Sequence, residues 1–530
     1  MEQSLETYSQ AAASMNIRFP YRIMLFVAVL LLSATAPAQV VNINHPGSGP
    51  YSTISSAISN LATVNGDTLT ASAGAYTENV SITKKLTLIG AGVATIINPP
   101  AGIGITITSD SVKITNLKVA NVPRWGIYAS GRKGLTLTNV ICEGDSVGAE
   151  LNSITGLTVT SSVFSRNNDH GFYSSSGQNF SFTNCVFNAN GKTIGTGSGL
   201  MLRNLKGSST FTNTTVDSNK YHGMEIRSGC ANVTINGGEF NSNGSNPNPG
   251  YDGGGIYLGE YAGVAISNVI INGPLVASNN STAGIFADAQ SVAADSINTL
   301  IVGQSGSVLL TSNGITRGTG ILLWGNVRNA SITAIFSKGA ISNSAGIVIV
   351  GKSDGSLSPA NISIISSKFS AGYARLTPAI SLADQQPPNY FGTGAVTATG
   401  TLWPALVDVD TLIYDKADDS RLGVVTHTGD ILAVGKEIER TLPKSFVLQQ
   451  NFPNPFNPST VISYQLSAES RVLIVVYDLL GREVAVLVNE KKNAGSYSVQ
   501  FHGSGLQSGV YFYRLSVGPF TETKKLVLLK

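Results

Sequence analysis

The sequence predicts an all-β protein in two parts, a long solenoid of short strands followed by a small β-sandwich. In the first part, a glycine that leads a short apolar strand recurs every 22 to 36 residues. Strands and turns fill the intervals, and a repeat of this size without helical periodicity is typical of a solenoid. These segments begin at Gly126, Gly148, Gly171, Gly199, Gly223, Gly255, Gly284, Gly320 and Gly346.

The faces of these strands follow from their alternation. One and three residues after eight of these nine glycines the side chains are apolar, as in Ile127 and Ala129 or Met224 and Ile226. Successive strand side chains alternate sides, so these positions face a common core that only stacked coils can bury. The pattern resembles the right-handed parallel β-helix proteins of the pectate-lyase-like superfamily, particularly their bacterial repeat members. This resemblance implies a right-handed parallel β-helix over residues 39–430, with about twelve coils and a length of roughly 55–60 Å.

Asparagines recur at one place in successive coils. They are Asn139, Asn184, Asn213 and Asn236. Stacked amides can hydrogen-bond to one another and to turn backbone along the axis, so we expect a structural role for them.

Each end of a solenoid needs a cap. Helical spacing of Tyr51, Ile54, Ala57, Ile58 and Leu61 predicts a short amphipathic helix at the N-terminal end. Residues 412–425 resemble a segment that closes such helices, and residues 431–441 are polar and predict a linker. The acidic cluster in the closing segment suggests calcium as a possible ligand, although it lacks the glycine and ligand spacing of an EF-hand loop. Its members are Asp415, Asp418 and Asp419.

The C-terminal part, residues 442–530, has five or six short strands separated by glycine turns, which predicts a small Ig-like sandwich. It carries the motifs QNFPNPFNPST (450–460), YDLLGREV (477–484), SGVYFYRL (508–515) and a lysine-bearing end. In combination these motifs resemble the type A C-terminal sorting domain of the type IX secretion system of Bacteroidetes and related bacteria. The resemblance implies recognition by that secretion machinery and delivery to the cell surface or the medium.

The N-terminal region predicts a signal peptide over residues 1–38. Arg18 and Arg22 precede an apolar stretch, and Ala36-Pro37-Ala38 offers a small-x-small cleavage site. The apolar stretch is shorter than the roughly 20 residues needed to span a bilayer, so no membrane span is expected in the mature protein. Met15 would give a signal peptide of ordinary length. We therefore expect Sec-dependent export to the periplasm before translocation across the outer membrane.

Composition narrows the range of partners and cofactors. The net charge of +3 and a charged fraction of 12% do not indicate nucleic acid as a partner. Three cysteines do not make a disulfide framework, and no zinc-binding spacing is present. Calcium aside, no cofactor or metal site is predicted.

The candidate binding residues lie at outward positions of the glycine-led strands and just before their glycines. Aromatic rings there can stack on sugar faces, while arginine and glutamate can bind hydroxyl or carboxylate groups. An extended extracellular polysaccharide is the ligand that this chemistry favours; exposed tyrosine and arginine are also ordinary on strand surfaces. The candidates are Trp125, Tyr128, Glu150, Tyr173, Arg203, Glu225, Arg227 and Tyr257.

Catalysis has less support. Glu225, Arg227, Arg203 and His222 are the catalytic candidates, but Glu150 and Glu225 are three coils apart, roughly 14 Å. A hydrolytic carboxylate pair needs about 5–9.5 Å. Three functions therefore remain open: a binding or adhesive rod, a polysaccharide lyase or hydrolase, and a protein-binding scaffold that uses loops 241–254 and 289–319.

Overall fold

The structure of the chain is a computed structural model. The predicted signal peptide (1–38) and linker (431–441) lie outside the residues that it describes. The described residues are 41–43, 50–192, 197–244, 253–259, 263–289, 296–313, 319–337, 345–351, 357–370, 373, 379–384, 390–391, 393–403, 408–428, 446–448, 451, 454, 459–492, 495–503 and 505–528.

Among the described residues, the nine glycine-led strands belong to one parallel sheet of thirteen strands, named sheet 1 here. Each strand pairs with the strand of the next coil, so thirteen coils and about 4.8 Å per step give a sheet roughly 58 Å long. The thirteen coils found among the described residues compare with the twelve or so expected. The strands are Val80–Ile82, Ile105–Ile107, Trp125–Ser130, Val147–Asn152, Phe172–Ser175, Leu200–Arg203, Met224–Arg227, Ile256–Gly259, Ala283–Ala289, Thr319–Gly325, Ala345–Val350, Ile380–Ser381 and Ile413–Tyr414.

The rest of each coil contributes to a second sheet, named sheet 2, with twenty-two strands. All its pairings are parallel except the first, between Val41–Ile43 and Thr68–Ala71. The other strands are Gly74–Tyr76, Thr87–Ile89, Thr95–Ile97, Lys113–Ala120, Thr136–Glu143, Thr155–Thr160, Val163–Ser165, Gln178–Thr183, Val186–Asn188, Ser209–Asp217, Ala231–Asn241, Ile266–Ser278, Ile297–Val302, Val308–Thr311, Val327–Ile332, Ile335–Ser337, Ala360–Ile365, Lys368–Phe369, Val396–Thr399 and Val425–His427. A short antiparallel pair, Ala383–Asp384 with Tyr390–Phe391, stands apart from both sheets.

The recurring glycines are required by the closeness of the coils. A Cβ on Gly199 would lie 2.7 Å from the carbonyl oxygen of Gly223, and one on Gly223 would lie 2.4 Å from that of Gly255. The same contact recurs between the other consecutive marker glycines, at 2.4–2.9 Å. Any larger residue would force neighbouring coils apart.

The inward positions form one continuous core, as the alternation predicts. Ile127, Ala129, Met224 and Ile226 are completely buried in a cluster that runs the length of the solenoid. Aromatic rings stack between coils in this core, for example Phe164 on Phe187 at 5.1 Å between centroids.

A ladder of buried asparagines runs parallel to the axis and was not predicted. Each amide nitrogen donates to the amide oxygen of the next member at 2.8–3.0 Å, and also donates to a main-chain carbonyl. The asparagines predicted from sequence are different ones: Asn139, Asn184 and Asn213 take left-handed backbone conformations at bends of sheet 2. The predicted amide bonding between coils is confirmed for two of the four, because Asn139 donates to Asn116 at 2.8 Å and Asn236 accepts from Asn272 at 3.0 Å. The buried ladder consists of Asn167, Asn190, Asn219, Asn243, Asn280 and Asn313.

The N-terminal cap is a helix, Ile54–Ser59, whose first turn is capped by Thr53 and which buries Ile54, Ala57 and Ile58. The prediction included Leu61 in this apolar face, which is wrong. The helix ends at Ser59, and Leu61 lies in the following turn with 99% of its surface exposed.

A 3-10 helix, Val409–Leu412, leads into the closing segment, and another such helix, Gly92–Ala94, lies near the first coils. The carboxylate of Asp415 accepts backbone N–H groups of Ala417 and Val425 at 2.9 and 2.8 Å. The Asp419 carboxylate accepts hydrogen bonds from the Arg421 side chain. These carboxylates therefore stabilise the local turn. Within the described residues, no group of three or more potential metal ligands is assembled.

The C-terminal part is a sandwich of two antiparallel sheets that share one hydrophobic core. One sheet contains Val447–Leu448, Ser459–Leu466 and Gly495–His502. The other contains Ser470–Tyr477, Glu483–Lys492, Gly509–Val517 and Phe520–Leu528. Among the described residues, no helix is both long and apolar enough to cross a bilayer.

Candidate functional site

The outward side chains of sheet 1 are aligned in columns by the parallel register. The column that contains Glu150 is named the central column here, and Glu150 and Glu225 are three strands apart in it, as predicted. Its members are Ser81, Thr106, Tyr128, Glu150, Tyr173, Met201, Glu225, Tyr257, Phe286, Leu322, Val348, Ser381 and Tyr414.

Exposure divides this column into two halves. Tyr128, Glu150 and Tyr173 are half-exposed, whereas every member from Met201 to Ser381 is buried. The expectation that all outward positions form one exposed face is therefore wrong for Glu225 and Tyr257, whose exposed fractions are 0% and 2%. Arg203 is exposed and Arg227 is half-buried.

A second apolar cluster explains the burial of the column members from Tyr257 to Val348. It lies on the side of sheet 1 opposite the main core, so both faces of these strands are buried. Strands such as GILLWG (320–325) and GIVIV (346–350) are apolar at every non-glycine position, or nearly so, which is the pattern of strands buried on both faces. The cluster consists of Tyr257, Ala283, Phe286, Leu322, Trp324, Ala345, Val348 and Val350.

The exposed half carries a compact group of aromatic and charged side chains, named the aromatic platform. It consists of Arg124, Trp125, Tyr128, Glu150 and Tyr173. The rings of Trp125 and Tyr128 are stacked with centroids 4.5 Å apart and planes 16° apart. The guanidinium carbon of Arg124 lies 3.7 Å from the centroid of Trp125. Arg124 and Tyr128 therefore both pack against the Trp125 ring.

Glu150 joins the two aromatic parts of the platform. It is aligned with Tyr128 on one side and with Tyr173 on the other. Asn152 Nδ2 donates to Glu150 Oε1 at 2.9 Å, which fixes the carboxyl group while leaving it half-exposed. Partial burial raises the pKa of Glu150, against the opposing effects of Asn152 and Arg124. The carboxyl group is thus positioned to hydrogen-bond a ligand hydroxyl.

The buried half of the column contains an internal ion pair. Ser198 Oγ donates to Glu225 Oε1, and Arg227 Nε donates to Glu225 Oε2. Burial alone would raise the pKa of Glu225, but the Arg227 guanidinium and the nearby polar groups outweigh it and hold that pKa below its ordinary value. Glu225 is therefore an ionised carboxylate with both oxygens already bonded.

His222 packs beside this pair. Its ring is stacked on Tyr257 with centroids 3.9 Å apart, and its Nδ1 accepts the backbone N–H of Gly254 at 2.8 Å. An accepting Nδ1 places the proton of the neutral ring on Nε2. Burial lowers the pKa of His222 to about 3, so the ring is neutral at physiological pH.

The structure thus brings together three of the four catalytic candidates, Glu225, Arg227 and His222. Of these, Glu225 and His222 are buried away from solvent. Arg203 is exposed on the strand next to Arg227. A general acid or base must reach the proton that it transfers. In this arrangement the Glu225 carboxylate and His222 ring contact protein groups, so the cluster is suited to holding the sheet together.

Sequence reasoning missed Arg124 as part of the platform. The signal was available, because Arg124 directly precedes Trp125 at the start of a sheet 1 strand. The half-buried His170 lies beside the platform, with its ring centroid 6.0 Å from that of Tyr173.

Two family models match the chain. Residues 101–272 match the right-handed β-helix region, and residues 450–529 match the secretion system C-terminal sorting domain. The parallel β-helix of the structure thus contains a region that matches the right-handed β-helix model, and the C-terminal sandwich matches the sorting-domain model. The sorting domain indicates export by the type IX secretion system, to the cell surface or into the medium.

Solved structures with related folds are distant. The catalytic domain of a GH87 alpha-1,3-glucanase variant in complex with nigerose is 13% identical, with a TM-score of 0.39 over 68% of this chain and 64% of that domain. The A-module of the mannuronan C-5 epimerase AlgE4 from Azotobacter vinelandii is 14% identical, with a TM-score of 0.40 over 70% of this chain and 90% of that module. This chain spans less than two thirds of the glucanase domain. Similarities at this level carry no argument about function, and the search of curated proteins found no match.

Proposed function

We propose that this exported β-helix protein binds an extracellular polysaccharide at the aromatic platform. The observation that carries the proposal is the half-exposed stack of Arg124, Trp125 and Tyr128, continued across the strands by Glu150 and Tyr173. Aromatic rings pack against the C–H faces of sugars, while charged side chains at their edges bind hydroxyl groups.

The shape of the platform supports an extended ligand. From Tyr128 to Tyr173 the column crosses two strand-to-strand steps, about 10 Å. A glycan lying along the axis would contact the two tyrosines in turn and pass the Glu150 carboxyl group between them. Export to the cell surface or the medium places the platform where such polymers occur.

Burial of the Glu225 cluster favours binding over cleavage. The carboxylate that sequence reasoning favoured for catalysis is fully buried and is bonded by Ser198 and Arg227. The half-exposed carboxyl group of Glu150 lies three strands from it.

The test is affinity electrophoresis and calorimetry of the exported protein against a neutral glucan, a uronate polymer and an amino-sugar polymer. The double variant Trp125→Ala/Tyr128→Ala should lose roughly 1–2 kcal/mol of binding free energy, about a five- to thirty-fold weaker Kd. Arg124→Ala should weaken binding as well.

Arg166→Ala is the matched control for Arg124→Ala. Arg166 is an exposed arginine directly after the sheet 2 strand Val163–Ser165, and it pairs with Glu143. Its loss should leave binding unchanged. Equal binding by the wild type and the double variant, with both folded, would refute the proposal.

A further inference from the structure

The outer surface of sheet 2 carries a regular array of hydroxyl groups over five coils. In four of the five strands, two outward positions separated by one buried residue are occupied by threonine or serine, and the fifth strand contributes one such position. The first row is Thr136, Thr158, Ser181, Thr210 and Thr234, and the second row is Thr138, Thr160, Thr183 and Thr212. These nine residues are named the hydroxyl lattice. It lies on a different sheet from the aromatic platform.

The spacing of the lattice is set by the backbone. Parallel pairing places neighbours within a row about 4.8 Å apart, and the two rows of one strand lie about 6.6 Å apart. Directly after each second-row residue the chain takes a left-handed conformation, with φ between 50° and 54° at Asn139, Ser161, Asn184 and Asn213. The same bend in each coil gives the threonines of each row the same position relative to the axis.

The lattice rests on a firm base. The residues between the two rows, Leu137, Val159, Phe182 and Phe211, are at most 1% exposed. Phe182 and Phe211 stack at 5.0 Å between centroids. Because protein interiors are close-packed, this layer restricts movement of the strands above it.

The hydroxyl groups face solvent. All nine residues lie at exposed or half-buried positions. Within the described part of the chain, none of these hydroxyls donates or accepts a hydrogen bond to another protein group, so each is available to water or to a ligand.

The composition of the lattice indicates what can bind there. It contains no charged side chain to attract an ionic partner and no aromatic ring on which a sugar can stack. What it offers is periodicity in two directions, which only a partner with its own two-dimensional repeat can match. Oxygen atoms in the surface planes of hexagonal ice repeat in two perpendicular directions at spacings within roughly a tenth of those set by strand geometry.

We propose that the hydroxyl lattice adsorbs to ice. Threonine hydroxyls would hold water molecules at lattice positions, and the methyl groups between them would pack against the same water layer. An exported protein with this surface would bind ice crystals outside the cell and limit their growth.

The test is thermal hysteresis and ice recrystallisation inhibition, measured on the purified exported protein. Thr212→Lys puts a long cation into the second row and should abolish most of the activity. Thr215→Lys is the matched control, because Thr215 is a half-buried threonine of the same strand beyond the bend at Asn213. It should retain wild-type activity. Thr160→Lys provides a second variant within the lattice and should behave like Thr212→Lys.

Circular dichroism and thermal unfolding verify that each variant is folded. A folded wild type that neither shifts the freezing point nor partitions into growing ice overturns the proposal. Equal loss in the Thr212 and Thr215 variants also overturns it. Binding to crystalline chitin or cellulose that depends on Thr212, without ice activity, would assign the lattice to a crystalline glycan instead.

Discussion

Replacement of a single marker glycine tests the stacking of the coils. Gly254 and Gly255 are adjacent, but their surroundings differ. A Cβ on Gly255 would lie 2.7 Å from the carbonyl oxygen of Gly284 and 2.9 Å from Asn280 Nδ2. A Cβ on Gly254 would have its nearest neighbour, the carbonyl oxygen of Ala283, at 3.4 Å, an ordinary van der Waals distance.

The difference in distance gives the magnitude. Gly255→Ala would place its methyl group about 0.7 Å closer to backbone oxygen than Gly254→Ala does, and the backbone of a paired coil cannot rotate away. Overpacking of this kind costs typically about 1–3 kcal/mol. The displaced Asn280 amide belongs to the buried ladder, so we expect the upper end of that range. Gly254→Ala should change the free energy of unfolding by less than about 0.5 kcal/mol.

The assay is urea unfolding of the exported protein, followed by far-UV circular dichroism and by tryptophan fluorescence. Solenoids can unfold in segments, so the midpoints of both probes are compared between variants. A clear loss for Gly255→Ala with little change for Gly254→Ala is the expected result. Equal effects of the two substitutions would refute the account of the marker glycines.

Three further predictions concern buried polar groups. Asp145 occupies the position before Asn167 in the ladder, and its buried Oδ2 has no hydrogen-bond partner among the described residues. Asp145→Asn should therefore raise the free energy of unfolding by about 1–3 kcal/mol, measured by thermal unfolding. Burial raises the pKa of Asp145 well above its ordinary value of 3.8. The buried carboxyl group therefore carries no stability penalty below pH 3.8, and its ionisation destabilises the folded wild type increasingly as the pH rises above that value. The stability gained by Asp145→Asn should increase with pH, and a gain independent of pH would contradict this assignment. Glu225→Gln should cost about 3 kcal/mol at neutral pH, because it leaves Arg227 without its ion-pair partner. The pKa of Glu225 lies below 4.5, so the wild-type contribution is present above that value and is lost as pH falls, and the penalty should shrink in acid; an unchanged penalty at pH 3 would argue against the ion pair. Asn219→Ala should cost at least about 2 kcal/mol in urea unfolding, since it removes one member of the ladder and leaves neighbouring amides unpaired, and a neutral substitution would show that the ladder carries no stability.

Much of the fold could be predicted because short-range patterns encode it directly. The marker glycines fix where neighbouring coils approach, and the alternation after them fixes which side chains enter the core. The cap helix was predicted from apolar spacing, but Tyr51 lies before its start and Leu61 beyond its end, since apolar spacing alone does not locate the ends at Ile54 and Ser59.

The buried ladder escaped prediction because its period drifts. Its members are separated by 23, 29, 24, 37 and 33 residues, as loops of different length intervene. The exposed bend residues Asn139, Asn184 and Asn213 were easier to recognise because they follow a clear strand motif. Both kinds of asparagine are structural, but only the structure separates the two.

The outward face of sheet 1 could be predicted in register but not in exposure. Alternation correctly placed Glu150 and Glu225 in one column. Whether a column faces solvent depends on what lies over it: Tyr257 belongs to the second apolar cluster, whereas the buried Glu225 is bonded by Ser198 and Arg227. The strands GILLWG and GIVIV indicate burial on both faces, because they are apolar at every position other than glycine. The alternation after the marker glycines does not by itself reveal this burial.

The register of the coils can be measured directly with spin labels at Thr136 and Ser363. These positions are joined by eight parallel pairings through Thr158, Ser181, Thr210, Thr234, Ile270, Ile301 and Ser331. The three cysteines are buried, which protects them from the label. Eight steps predict a backbone separation of about 38 Å in a pulsed dipolar measurement. A single narrow distribution near that distance supports the stacked coils, whereas a short distance or a broad distribution would contradict them.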